Sequence, residues 1–370
     1  MNNPFSAEQL TERRAFLQAL WDLQDLPRPG FQVNIAAQSP HTVLQQFQDK
    51  AAMLSAQLGN VKAKAEAGIR DDYLPALFPY LGVSVFPSAF GCPVRWFEDE
   101  QPWADPILFD DPSQVYALEK PAVNAGQLGD VLDYTRYFIE QTDGAFPIRM
   151  TDVQGPLDVA YLIWHNEDFI VAMYEHPAEV HRLMRLVTEL IIEFVASQRD
   201  LTRQLGAEFT PCHFPFIWMP DGQGIAISDD VIALMSPPLY REFALPYVNQ
   251  LSEAFNGVFI HTCGQFEHNF ANLRQVHKLR GLNFGASEQP FGPVWEQFGG
   301  QMVLITHLGL NKEVHFESGL DYVAHILNTK TSNRGLFLMV DTGVTRPDDS
   351  LCPFDPAEAE TLYRMMGRSW

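Results

Sequence analysis

His261-Thr262-Cys263-Gly264 sets an imidazole and a thiol two residues apart. In an extended chain, residues i and i+2 project to the same side, so these two groups can converge on one cation. Zinc is the natural occupant of such a pair, and an open position on it would hold a substrate thiol as a nucleophilic thiolate near neutral pH. Gly264 lets the chain turn away after the pair. Glu288 and Cys352 follow at separations compatible with zinc ligation. Each also has a plain reading, Cys352 as a loop cysteine beside Pro353 and Glu288 as a solvated carboxylate. Cys92 in Phe90-Gly91-Cys92-Pro93 and Cys212 in Pro211-Cys212-His213 read as small apolar core residues.

A second set of residues can move protons or polarise a substrate. Asp152, Gln154, His307 and Asp341 each follow a short apolar run. In Ile227-Ser228-Asp229-Asp230, a helical run follows, so Ser228 or Asp229 reads as a helix N-cap and Asp230 as a cavity carboxylate.

Those positions matter because of the elements that precede them. From Gly144 onward, short apolar runs alternate with longer stretches of helical period, which is the pattern of βα units around a parallel sheet. The strand candidates are Phe146–Met150, Ala207–Pro211, Val258–Ile260, Leu279–Phe284, Met302–Ile305 and Leu336–Val340, with a further one at Val83–Phe86. Between Glu179 and Ala196, Val180, Leu183, Met184, Val187, Leu190, Ile191, Phe194 and Val195 recur at spacings of three and four, forming one apolar helical face. Ser236-Pro237 opens another helix, with Tyr240, Phe243, Ala244 and Tyr247 inward and Gly257 at its end. The expected fold is an α/β (β/α)8 TIM barrel over residues 71–370, with residues 1–70 as an N-terminal helical extension packed on it. In such a barrel, His261, Cys263, Glu288, His307, Asp152 and Asp341 all fall at the mouth, where strands end and chemistry collects.

Composition narrows the partners. The 46 acidic residues outnumber the 25 basic ones, for a net charge of -21, and no basic run interrupts them, which argues against nucleic acid. Met1–Gln18 lacks an apolar core of signal-peptide length, and no stretch is long and apolar enough to span a bilayer. A cytoplasmic protein with reduced thiols and no membrane partner is expected.

Four ordered segments resemble one family. Asp152-Val153-Gln154-Gly155-Pro156-Leu157, Ser236-Pro237-Pro238-Leu239-Tyr240-Arg241-Glu242-Phe243-Ala244-Leu245-Pro246-Tyr247, Phe259-Ile260-His261-Thr262-Cys263-Gly264 and Leu282-Asn283-Phe284-Gly285 are similar to motifs of the uroporphyrinogen decarboxylase superfamily. The resemblance runs from about Asp72 to the C-terminus. The decarboxylases' N-terminal Arg-Gln-Ala-Gly-Arg run has no counterpart, so the chain resembles the methyltransferase branch more closely. That branch moves a methyl group between a corrinoid (cobalamin) carried by a partner protein and a thiol such as coenzyme M. The resemblance implies a zinc site of His261, Cys263 and a later cysteine near Thr342, where this sequence has none. Cys352 or Glu288 would then be the third ligand, the latter by similarity to the carboxylate ligand of cobalamin-independent methionine synthases. Asp152, Gln154, Asp230, His307 and Asp341 would shape or polarise the cavity. Two other readings stand beside this one. One is a metal-free decarboxylase or lyase-like barrel using Asp152, Asp230 and His307 as acid and base; the other is a barrel that binds a small molecule without catalysis.

Overall fold

The computed structural model describes residues 3–35, 37–309, 313–341 and 356–367. Ten strands occur among them: β1 Gly30–Asn34, β2 Val94–Arg95, β3 Trp103–Ala104, β4 Ile148–Arg149, β5 Phe209–Thr210, β6 Ile225–Ser228, β7 Val258–Thr262, β8 Leu279–Gly285, β9 Val303–His307 and β10 Leu336–Asp341. Six of these form one parallel sheet in the order β1-β10-β9-β8-β7-β6. Every residue of β6 and β7 is buried, as expected of parallel strands covered on both faces.

The regular ladder does not close into the eight-strand ring expected from the sequence. β4 and β5 pair only with each other, over two residues apiece. Isolated bridges, Leu77 with Ile148 and Gln154 with Ser228, are what link this region to its neighbours. Prolines explain the brevity: Pro147 and Pro211 bracket the pair and have no N–H for a ladder.

Two further expectations are corrected. Val83–Phe86 is not a strand, because its apolar run opens the helix Val85–Ala89. Residues 1–70 hold three helices, Ala7–Trp21, Val43–Gln48 and Lys50–Glu66, but they also supply β1, which pairs with β10 from Gly30 opposite Phe337 to Asn34 opposite Asp341. This segment is therefore partly built into the sheet.

The helical readings hold. All eight apolar residues counted between Glu179 and Ala196 are buried in the helix Pro177–Gln204. The Ser236-Pro237 segment becomes two helices, Pro237–Phe243 and Leu245–Phe255, interrupted at Ala244 just before Pro246. The second ends on Asn256 and Gly257, both at positive φ. Among the described residues, no helix is long and apolar enough to cross a membrane.

Candidate metal centre

The register of the parallel sheet builds the centre. Ser228, His261 and Asn283 are partners across β6, β7 and β8. Their side chains therefore stand in a row at the C-terminal end of the sheet. Asn283 donates from Nδ2 to the carbonyl of Ile305 at 2.8 Å, which fixes its amide so that Oδ1 faces His261 Nδ1 at 2.7 Å. His261 Nδ1 must then carry the proton, and Nε2 keeps its lone pair.

That lone pair points at other donors. Cys263 Sγ lies 3.4 Å from His261 Nε2, and Asp230 Oδ1 lies 3.8 Å from it. Ligand atoms of Asp230, His261 and Cys263 all fall within 4.8 Å of one another. A tetrahedral zinc with a nitrogen at about 2.0–2.1 Å and a sulfur at about 2.3 Å separates those two ligands by about 3.5 Å. The donor set thus fits a zinc ion in spacing and in type. Without a cation, the same geometry serves an S–H donating to the imidazole.

Electrostatics agree with the fit. Burial, with the carboxylates of Asp230 and Glu288 close by, pushes the Cys263 thiol well above its ordinary range. Burial pulls His261 down, while Asp230, the Asn283 hydrogen bond and Glu288 pull it back up. The pocket therefore holds a thiol that burial, helped by the nearby carboxylates, keeps protonated, an arrangement that a divalent cation would reverse.

Asp230 is held by a neighbouring element. Asp158, on the helix Pro156–Ile163, accepts from Asp230 N at 2.6 Å and Val231 N at 3.1 Å. Asp230 Oδ1 in turn accepts from Cys263 N at 2.7 Å. The N-cap expected from Ser228 or Asp229 is not made: Asp229 has no side-chain bond to the turn that follows, and its Oδ2 accepts from Tyr240 Oη at 2.5 Å. Asp158 does the capping from outside the segment.

Glu288 is buried beside the centre, where Oε2 accepts from Gly264 N at 3.3 Å. Gly264 has φ +76, and Gly309 lies so close to Glu288 that a Cβ there would come within 2.3 Å of Cδ. Gly309 thus makes room for that carboxylate, while Gly264 serves the left-handed turn that presents its N–H. His307 sits one strand further on, its Nδ1 3.2 Å from Asn283 Nδ2 and its ring 5.9 Å from that of His261. Burial, with His261 nearby, pulls His307 down to about 3, so its imidazole is neutral. Asp341 ends β10, and Cys352 lies outside the described residues. Cys92 and Cys212 are buried, and burial pushes both thiols up to about 12, which suits inert packing.

Asp152 and Gln154 belong to a second cluster beside the first. Gln154 Nε2 donates to Asp152 Oδ1 at 2.7 Å, and His213 Nε2 lies 3.0 Å from Ser228 Oγ and 3.6 Å from Asp152 Oδ1. Burial raises Asp152 to about 7, although the Gln154 bond opposes the rise. His213, pulled down to about 3 by burial and by His261, is neutral, and its Nδ1 is buried without a partner. The sequence reading passed over Asn283, His213 and Asp158, although each lies in or next to a segment it quoted.

Two measurements probe these contacts. Asn283→Leu leaves His261 Nδ1 unpaired and its ring unfixed; zinc affinity in competition with a chromophoric chelator is expected to fall about 10- to 100-fold. Unchanged affinity would show that Asn283 does not orient a ligand. For Asp152, the fold favours the neutral carboxyl, so its contribution is fully present below about pH 4 and is lost as pH rises through about 7. Asp152→Asn should match the parent in urea denaturation near pH 4 and exceed it by about 2–4 kcal/mol above pH 7. A difference independent of pH would refute this.

Comparisons with known proteins follow the same lines. The sequence profile of the family "Uroporphyrinogen decarboxylase (URO-D)" matches residues 68–205. Uroporphyrinogen decarboxylase of Xanthomonas campestris pv. campestris (strain B100) is 25% identical over 186 residues, covering 49% of this chain and 46% of that protein. The same enzyme of Xanthomonas euvesicatoria pv. vesicatoria (strain 85-10) is 25% identical over 185 residues, covering 48% and 46%. The match thus spans about half the length of these curated relatives. A solved methyltransferase from Methanosarcina mazei superposes with a TM-score of 0.67 at 15% identity, over 96% of this chain and 98% of that one. The superfamily resemblance read from the sequence is borne out, and the methyltransferase shares the fold along nearly the whole chain.

Proposed function

We propose that this chain is a zinc-dependent methyltransferase that moves a methyl group between a corrinoid, carried by a partner protein, and a small-molecule thiol. The observation that carries the reading is the convergence of His261 Nε2, Cys263 Sγ and Asp230 Oδ1 at one end of the sheet, on a fold shared with a methyltransferase. His261 and Cys263 would hold the ion, with Asp230 a third donor. Glu288 and Cys352 remain candidates for the same shell. When bound, zinc lowers the pKa of a coordinated thiol and so supplies a nucleophile near neutral pH.

The chain's own residues do the rest. Asn283 presents the imidazole lone pair, and Asp158 holds the loop that carries Asp230. Phe214, edge-on to His261 at 4.5 Å and to His307 at 5.7 Å, keeps water from that side of the centre. In the transfer, a sulfur–carbon bond forms as the donor's bond to the methyl breaks, the electron pair staying with the donor. The thiol proton leaves first, and in this reading Asp152, held near 7, would take up or return protons at working pH. Asp341 at the end of β10 belongs to the same rim in this reading. A cytoplasmic setting completes the proposal.

Methyl transfer from methylcobalamin to a panel of thiols by the zinc-loaded protein tests it. Methylated thiol, lost with His261→Ala, is expected; a zinc-loaded protein that methylates none of them contradicts the proposal. One observation favours a second reading: Asp152, His213 and Ser228 form a buried polar cluster that needs no metal and suits acid–base chemistry of a decarboxylase or lyase type. Activity that survives complete zinc removal and disappears in Asp152→Asn would select it.

A further inference from the structure

Four Lys or Arg side chains are buried among the described residues: Arg13, Arg28, Lys64 and Arg149. Three of them face carboxylates. Arg28 makes a two-pronged pair with Asp72 at 2.7 Å, Lys64 meets Asp71 at 2.6 Å, and Arg13 lies 4.0 Å from Asp71. Arg149 on β4, only 3% exposed, has no carboxylate partner among the described residues. Its hydrogen bonds go to neutral carbonyls: Nη1 to Cys212 at 2.7 Å and Ile217 at 2.8 Å, and Nη2 to Phe216 at 2.9 Å.

Tethering that loop does not require a charge. A neutral amide side chain could reach carbonyls without the several kcal/mol that an unpaired buried ion costs. The three bonds also leave Nε and one Nη2 hydrogen of the guanidinium's five donors uncommitted. Those donors have somewhere to point, because Arg149 lines a cavity of about 320 Å³ together with Tyr73, Ala76, Phe78, Tyr80 and Phe216. The Phe78 and Tyr80 rings stack at 4.9 Å, and Phe78 meets Phe216 edge-on at 5.9 Å, giving the cavity a flat aromatic wall beside its cation.

We propose that this cavity is an anion-binding subsite, in which Arg149 receives the carboxylate or a like oxyanion of a small substrate whose carbon body lies on the Phe78, Tyr80 and Phe216 rings. The missing counter-charge is supplied by the ligand, through charge-assisted hydrogen bonds of the kind guanidinium makes best. Phe216 also meets Phe214 at 5.1 Å, and Phe214 meets His261 at 4.5 Å, so a ligand anchored here extends toward the metal centre. That relation rests on the methyltransferase reading; the anion site itself does not.

Calorimetric titration of chelator-treated protein separates the two, since it involves neither zinc nor turnover. The probes are phenylacetate and 3-phenylpropionate, each against its uncharged amide. The acids are expected to bind at least about tenfold more tightly than the amides, one charge-assisted pair being worth about 1.5–3 kcal/mol. Arg149→Gln keeps an amide for the loop carbonyls but drops the charge, and should abolish that preference. Ala76→Leu fills the cavity without touching any Arg149 bond, and should weaken the acids in a protein whose circular dichroism and urea midpoint are unchanged. Equal binding of acid and amide, failure of both acids to bind, or acid binding undiminished in both variants overturns the proposal.

Discussion

Replacing His261 with alanine, or Cys263 with serine, is expected to strip zinc from the protein while leaving its fold intact. If about 10 kcal/mol of zinc binding is shared among four ligands, one ligand accounts for about 2.5 kcal/mol, nearly a hundredfold in affinity. Chelator competition should resolve that change easily. The pH dependence adds a check: binding must displace the thiol proton that burial and the nearby carboxylates hold on Cys263, so affinity should fall steeply as pH is lowered. His261 is the last residue of β7 paired with β6, and Cys263 follows the strand, so circular dichroism should not change. Full zinc retention in either variant would remove the substituted residue from the site.

Asp72→Ala is expected to cost about 3–5 kcal/mol of stability, the largest loss anticipated from a single change away from the centre. Arg28 and Asp72 are both buried and form two parallel bonds at 2.7 Å, and Asp72 Oδ2 also accepts from Phe31 N at 3.0 Å. The Arg28 guanidinium lies 4.2 Å over the Phe16 ring, so it cannot swing to solvent without leaving its packing. Truncating the carboxylate strands this cation and removes the side-chain acceptor for Phe31 N at the start of β1. Pairing Asp72→Leu with Arg28→Met should restore much of the loss, because removing both charges removes the penalty of the stranded one. The urea midpoint measures both; a loss below about 1 kcal/mol for Asp72→Ala would mean that the pair is not needed.

The sequence made the second half of the sheet legible because its strands are apolar runs flanked by helices of clear period. Leu279–Phe284 and Met302–Ile305 fall within a residue or two of β8 and β9. β1 escaped because Gly30-Phe31-Gln32-Val33-Asn34 has only two large apolar residues, set in a segment otherwise helical. β6 escaped because its four residues abut the Ser228-Asp229-Asp230 turn, which was read as a helix start. Val83–Phe86 went the other way, a short apolar run that periodicity cannot distinguish from a helical turn.

At the centre, the His-x-Cys pair was readable because i and i+2 share a face whatever the tertiary structure. Its supports were not. Asn283 carries no charge to mark it, and its role depends on register with His261 across β7 and β8. Asp229 looked like a cap by local rules, yet Tyr240 took its carboxylate and Asp158, some seventy residues earlier in the chain, capped the turn instead. Asp230, read as a cavity carboxylate, belongs in space with the two expected ligands. Arg149 drew no notice because a lone arginine in a strand says nothing until the absence of a partner can be seen.

X-ray absorption at the zinc edge of anaerobically purified protein tests the central claim most directly. The account requires about one zinc per chain with a sulfur scatterer at about 2.3 Å, nitrogen or oxygen scatterers at about 2.0–2.2 Å, and loss of the sulfur shell in Cys263→Ser. Protein that is folded but takes up no zinc, or zinc whose shell contains no sulfur, would contradict it.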